Sequence, residues 1–473
     1  MPKIEIKERD LTQASGTVGT DIPYIPGFSV VMYEYTKTTD TTWDSTKDYY
    51  IINKENATGF SAAGQTEKDL NKLYERGDKL TPSSPVLCSS ISQFEALFGH
   101  APIAFKSPST TYNINCGDFD RSYIMAKELL ARNMSIYYHA IVTQEDIDKL
   151  AAKHPTEKFI SELSTYLDKE EDDGNGLLTD KDEYTIKYLT SGGYHNYKTG
   201  VDTKLLKIAS ERGDCVALIE DTQTHTFNPN SDDCFWKSVC DLSSISSEYD
   251  EFGAAFTPWA YYTPAKKYGE LKEILMPACF GYLLDLAVNI KTSPNWLAMA
   301  GTTRGIVPAI TRMASSERLS NMIANKYQPT LAIEGTRAIN AITNIKPYGL
   351  TIWGNRTLQT IGEEGLTATT FLNTRNMISD IKKVAYRAAK AQLFEQNSEV
   401  LWLNFKSAVS PFLDQLKSGN GISDYKLLKL DTKYDGSSLG KEEFACAIKI
   451  YPLYAVESFE INVVILDNDV SVG

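Results

Sequence analysis

Residues 346–358 read KPYGLTIWGNRTL, and the fold is best approached from there. Positions 348–353 have the aromatic and β-branched content of a strand. The dipeptide Gly354-Asn355 accepts φ > 0, so the spacing predicts a sharp turn there, with Arg356 just beyond it. An arginine so placed reads first as a buried strand residue whose charge is met by a carboxylate or a carbonyl. Downstream, residues 377–394 and 398–409 carry helical periodicity. Pro411 sits where it can restart a helix to Lys417, with Gly419 past its end. Residues 425–430 and 444–451 read as strands. A compact α+β unit is therefore expected over 346–458.

Upstream, over 23–345, strand-like runs alternate with helical patterns: VLCSS then SQFEALFG, SYIMAKELLARN then SIYYHAIV, TKLLKIASERG then CVALIED. That alternation predicts an α/β region with helices packed on a mostly parallel sheet. Residues 36–82 and 168–183 are polar and turn-rich, and are expected as surface insertions. The stretch 274–290 is apolar but interrupted by Pro277, Asp285 and Asn289, as in a buried helix and unlike a membrane span.

Both ends look incomplete by themselves. Ile4 and Ile6 alternate with charged residues as in a half-exposed strand, and 11–19 is a Gly/Ser/Thr linker able to extend about 30 Å at roughly 3.3 Å per residue. At the far end FEINVVIL, 459–466, places Phe459, Ile461, Val463 and Ile465 on one side of a last strand. Segments 1–22 and 459–473 are thus expected as strand-forming arms. Unpaired strands either pair within their own subunit or add to other molecules, and the pattern leaves both open.

A net charge of -13 argues against wrapping nucleic acid. Positive charge is local. On a wheel at about 100° per residue, Met377, Ile378, Ile381, Ala385 and Ala388 share one face, with Lys383, Arg387 and Lys390 opposite. Such a ridge is either a solvated face or a contact for an acidic partner. The charged opening MPKIEIKERD has no apolar core of a secretory signal. Seven cysteines without a CxxC pair fit reduced thiols, and the C-x5-C of Cys234 and Cys240 is weak metal evidence. Histidines 100, 139, 154, 195 and 225 sit in unrelated contexts, without HExxH, GxSxG or GxxxxGK[ST]. Residues 171–182, EDDGNGLLTDKD, mimic an EF-hand loop, but Glu171 stands where Asp is usual and Asp182 where Glu is usual. A strand-like run also follows, so an acidic turn is the reading preferred. No catalytic residue, metal ligand or cofactor is assigned.

The wording G-x-x-[IV]-W-G-x-R-T-L resembles the core signature of contractile tail sheath proteins from phages and related injection machines, here Trp353, Gly354, Asn355 and Arg356. Other stretches follow that family's order: PVLCSSISQFEALFG (85–99), FDRSYIMAKELLARNMSIYYHAIV (119–142), PNWLAMAGTTRGIV (294–307) and AINAITNI (338–345). Two departures concern the outer region: Pro26-Gly27-Phe28-Ser29 replaces the usual Pro-Gly-Val-Tyr, and 35–82 is longer than typical. The resemblance implies a helical homo-polymer of hexameric rings around a tail tube, contracting to drive the tube through an envelope. It implies baseplate and tail terminator partners, no nucleic acid, no membrane insertion, and a place in the virion tail after assembly in the host cytoplasm. Under it, Ile4, Ile6, Phe459, Ile461, Val463 and Ile465 dock on neighbours, while Lys383, Arg387 and Lys390 face the tube. The alternatives are a cytoplasmic, hydrolase-like α/β enzyme with a pocket at the strand C-termini, or a binding module using the acidic loop for calcium.

Overall fold

A computed structural model of the chain describes residues 21–29, 84–98, 121–143, 155–173, 176, 178–193, 200–220, 247–264, 273–314, 337–359, 366–433 and 436–456. In chain order the elements are β1 (Pro23–Ser29), β2 (Val86–Cys88), α1 (Ile91–Phe98), α2 (Arg121–Ala131), β3 (Ile136–Thr143), α3 (Pro155–Asp173), β4 (Tyr188–Leu189), α4 (Val201–Arg212) and β5 (Val216–Glu220). There follow a 3-10 turn (Ser247–Phe252), β6 (Gly253–Thr257), β7 (Ala260–Tyr262), β8 (Ile274–Met276), α5 (Ala278–Asn289), α6 (Gly301–Arg304), β9 (Ile310–Met313), β10 (Ile339–Ile345) and β11 (Gly349–Trp353). The chain continues with α7 (Leu372–Lys390), α8 (Glu399–Ser418), β12 (Ile422–Leu430) and β13 (Ala445–Pro452).

The main sheet has eight strands in the order β11-β10-β6-β5-β4-β1-β3-β2. Its inner strands are parallel, and the antiparallel pairs β10–β11 and β2–β3 lie at its two edges. Strand alternation divides the core into two layers. Tyr24, Tyr137, Leu189, Ala217, Ile219, Ala255 and Ala341 face α3 and α4. Ile25, Tyr138, Tyr188, Val216, Leu218, Phe256 and Ile342 face α1, α2 and α5. This is the α/β arrangement the alternating sequence predicts.

A third apolar cluster stands apart. Met377, Ile381 and Ala388 of α7 pack with Trp402, Phe405, Val409, Leu413 and Leu416 of α8, with Ile422 and with Trp296. The antiparallel pair β12–β13 covers it, with Tyr425 and Leu427 paired to Ile450 and Ile448.

Four details depart from the sequence reading. The boundary expected at 346 falls inside a hairpin, because β11 pairs with β10 from Ala341↔Trp353 to Ile345↔Gly349. The unit with its own apolar core starts within α7. The turn also moves: residues 346–348 reverse the chain, and Gly349, not Gly354, carries the left-handed backbone at φ 93°. Pro411 does not restart a helix, since α8 runs unbroken through it; its apolar face at Phe405, Val409, Leu413 and Leu416 outweighs one lost backbone bond. The insertion expected at 168–183 begins as helix, because α3 extends to Asp173 and Glu170 is buried, accepting from Leu178 N at 2.7 Å. The other insertion, 36–82, lies outside the described residues, as do arm residues Ile4, Ile6, Phe459, Ile461, Val463 and Ile465.

Candidate assembly surfaces

The signature residues form a buried splice between β11 and α7. Gly354 is required by close approach: a Cβ there would lie 2.7 Å from Asn340 Oδ1 and 2.9 Å from Asn340 Cα. Asn340 is the pivot. Its Nδ2 donates to the carbonyls of Ala255 (3.1 Å) and Arg356 (2.8 Å), and Arg356 N donates to its Oδ1 at 2.8 Å. Asn355 Nδ2 donates to Asn373 Oδ1 at 2.7 Å, and Asn373 N donates back to Asn355 Oδ1 at 3.2 Å. The Arg356 guanidinium, 1% exposed, stacks 4.1 Å from the Phe371 ring centroid, inside the core and not on a contact face. Trp353 packs against the α3/α4 layer. Residue types alone did not single out Asn340, because β10 also carries the polar Thr343 and Asn344.

The basic ridge is corrected at one position. Lys383 is 6% exposed and donates to the Ile186 carbonyl at 2.7 Å, so it anchors α7 on the residues before β4 instead of facing outward. Burial, then the neighbouring Lys187 charge, lowers its pKa to about 8. Arg387 and Lys390 are exposed. Lys390 pairs with Asp182 at 2.5 Å, which raises the lysine's pKa and lowers the carboxylate's. Wheel geometry missed Lys383 because it sees one helix and not the segment lying across it.

These residues line a cleft of about 540 Å³ between α7, the 181–185 turn and the end of α4. Its walls carry Lys181, Arg212, Lys382, Lys383, Arg387 and Lys390 against the carboxylates Asp182 and Asp214. Arg212 is held by Asp214 (Nε to Oδ1, 3.0 Å) and donates to the Leu178 and Tyr184 carbonyls. Lys382 is held down in pKa by desolvation, then by Arg375. Positive charge is thus concentrated on one concave face of an acidic protein.

The second surface is the β12–β13 sheet, two-stranded among the described residues, so each strand keeps one unpaired edge there. Tyr451 near the end of β13, and Leu453, Tyr454 and Val456 just past it, are exposed. In the acidic stretch, Asp180 Oδ1 accepts from the backbone N–H of Asp182 (2.8 Å) and Glu183 (3.1 Å), forming an exposed Asx-type turn. Among the described residues no group of three acidic, histidine or cysteine side chains could hold a metal ion.

No family model matches the chain. A tail sheath protein of Vibrio phage KVP40 is 23% identical over 311 residues, covering 63% of this chain and 44% of that protein. The tail sheath protein of Enterobacteria phage T4 is 23% identical over 172 residues, 36% of this chain and 24% of its own length. The matched stretch thus spans less than half of each of these relatives. Among solved structures, a chain of the anti-feeding prophage baseplate aligns with a TM-score of 0.53 at 11% identity, over 98% of both chains. The contracted sheath complex of an extracellular contractile injection system, PVC, aligns with a TM-score of 0.52 at 14% identity, again over 98% of both. In sequence and in fold, the family that this chain resembles is that of the contractile tail sheath proteins.

Proposed function

We propose that the chain is a structural subunit of a contractile sheath and not an enzyme, polymerising as stacked hexameric rings around an inner tube in a virion tail or injection particle. The observation that carries this reading is the pair of curated phage relatives named as tail sheath proteins, joined to a fold likeness over nearly the whole chain. The β12–β13 pair supplies a physical means, because two unpaired strand edges can accept strands from neighbours. In this reading the arms at 1–22 and 459–473 are those strands, with Ile4, Ile6, Phe459, Ile461, Val463 and Ile465 facing the acceptor's core. The unit from α7 to β13 then faces the tube, with Arg387 and Lys390 as the outward cations. Baseplate and terminator proteins close the two ends of the polymer.

Sheath contraction requires two lattices of one subunit that differ in buried interface. At about 25 cal/mol per Å², a few hundred Å² more apolar contact per subunit supplies several kcal/mol. Deleting residues 1–19 tests the arms: the expected product is a folded, soluble subunit that forms no tubes in negative-stain images. Normal polymers from that truncation would refute arm exchange.

A further inference from the structure

We propose that the cleft between α7, the 181–185 turn and the end of α4 is a binding site for a phosphate-class oxyanion, either free phosphate or pyrophosphate or the phosphate chain of a nucleotide. Most of the charges in the cleft are already engaged. Asp214 is engaged by Arg212 and Asp182 by Lys390, and these are the cleft's two carboxylates. Lys383 gives its ammonium to the Ile186 carbonyl. Lys181, Lys382 and Arg387 remain, and among the described residues none of the three makes an ion pair or a side-chain hydrogen bond. Three uncompensated cations from two chain segments therefore converge on one concavity.

The size fits a small ligand. About 540 Å³ lies within the range of small-molecule sites, whereas a protein partner needs a broad and flatter face. The chemistry fits phosphate better than a lone carboxylate. Guanidinium and ammonium donors suit a multiply charged oxyanion, and the hydroxyl of Thr185 on the same walls can donate to a further oxygen. Gly213, with φ 66° and no Cβ, leaves the wall open beside Lys382. Desolvation first, then a neighbouring cation, Arg375 for Lys382 and Lys187 for Lys383, holds both amines below the usual lysine range despite carboxylates nearby. A bound oxyanion would reverse that.

The inference stands apart from the sheath reading, since an isolated subunit should bind the anion without tube or neighbours. The full-length chain is titrated with sodium phosphate, pyrophosphate and ATP by calorimetry and thermal shift, with potassium chloride matched for ionic strength. The expected result is saturable binding, tighter for pyrophosphate or ATP than for phosphate. Tighter binding of ATP than of pyrophosphate assigns the nucleotide as source; equal binding assigns the bare phosphate chain. The double variant Lys382→Gln/Arg387→Gln, at two exposed positions, should lose about tenfold or more in affinity while keeping its unliganded melting temperature. Lys417→Gln, whose exposed partner Asp424 lies outside the cleft lining, should bind as the parent does. Equal stabilisation by matched chloride, or unchanged affinity in the double variant, overturns the proposal.

Discussion

Gly354→Ala separates two physical explanations for one glycine. If Gly354 were needed for a positive φ, alanine would suffer backbone strain; but the left-handed residue of this hairpin is Gly349, and Gly354 has an ordinary backbone. Alanine at such a position would by itself stabilise the chain by roughly 0.4–1 kcal/mol through the unfolded state. The structure reverses that sign, because the new methyl meets Asn340 Oδ1 at 2.7 Å and Asn340 Cα at 2.9 Å. Asn340 cannot swing aside without loosening its bonds to Ala255, Arg356 N and the Arg356 carbonyl. Overpacking costs about 1–3 kcal/mol, and one weakened buried hydrogen bond adds about 1 kcal/mol, for a loss of about 2–4 kcal/mol. A chain of this length need not unfold in one step, so the readout is local: hydrogen exchange of peptides spanning β10 and β11. The expected acceleration is about 30- to 700-fold, at tenfold per 1.4 kcal/mol. Exchange equal to or slower than the parent's would show that the splice tolerates a methyl and that close approach is not why glycine stands there.

Three further outcomes follow from the buried charges and the outward cations. Lys187 Nζ pairs with Asp380 and donates to the Asn376 carbonyl at 2.6 Å, so Lys187→Met strands a carboxylate and should cost about 3–5 kcal/mol by urea titration. The double variant with Asp380→Leu should cost less than the sum of the singles; additivity would disprove coupling. Burial lifts Asp285 to a pKa of about 8, above its usual carboxylate range, so the folded state binds more protons than the unfolded one between about pH 4 and 8. Stability from this group falls as pH rises through that window. Asp285→Asn should flatten the slope while the Asn289 Nδ2 donor, 2.8 Å from the present Oδ1, keeps an acceptor; an unaltered pH profile would exclude Asp285 as its source. Arg387→Glu with Lys390→Glu should abolish loading onto a tube in a co-sedimentation assay without unfolding the subunit, and undiminished loading would dismiss the tube-facing assignment.

The sheet was legible because period-2 and helical patterns alternate cleanly from 85 to 220, and a buried parallel strand such as β5, whose Val216, Ala217, Leu218 and Ile219 are all buried, has little choice but to be apolar on both faces. The β12–β13 pair was legible for the same local reason. Where the turn at 349 and the role of Gly354 were misread, the cause is that glycine serves both φ > 0 and close approach, and composition cannot tell which. Pro411 was misread because its penalty was weighed locally, while the apolar seam of α8 spans the whole helix. Lys383 was placed on a solvent face because a helical wheel has no knowledge of the Ile186 carbonyl, which comes from nearly two hundred residues earlier in the chain. The cleft was invisible for the same reason: its charges come from 181–185, 212–214 and 382–390.

The joint between the main sheet and the α7–β13 unit is polar, and that has mechanical consequences. Lys187 reaches Asp380 and the Asn376 carbonyl, Lys383 reaches the Ile186 carbonyl, and Arg375 reaches the Gly213 carbonyl at 2.9 Å. Asn295 bridges Asp21 (2.7 Å) and Asp380 (2.8 Å), and Asn373 reaches the Trp296 carbonyl at 2.9 Å. An apolar interface tolerates sliding, because its free energy follows area and not direction. Hydrogen bonds to fixed carbonyls weaken steeply with angle, and an unpaired buried charge costs several kcal/mol, so rotating α7 about its axis would break several contacts at once. The two parts of the subunit are therefore held together as one piece across this joint. If the subunit changes lattice, the change must be taken up outside the joint, in the chain segments that link neighbours and in the surfaces they share.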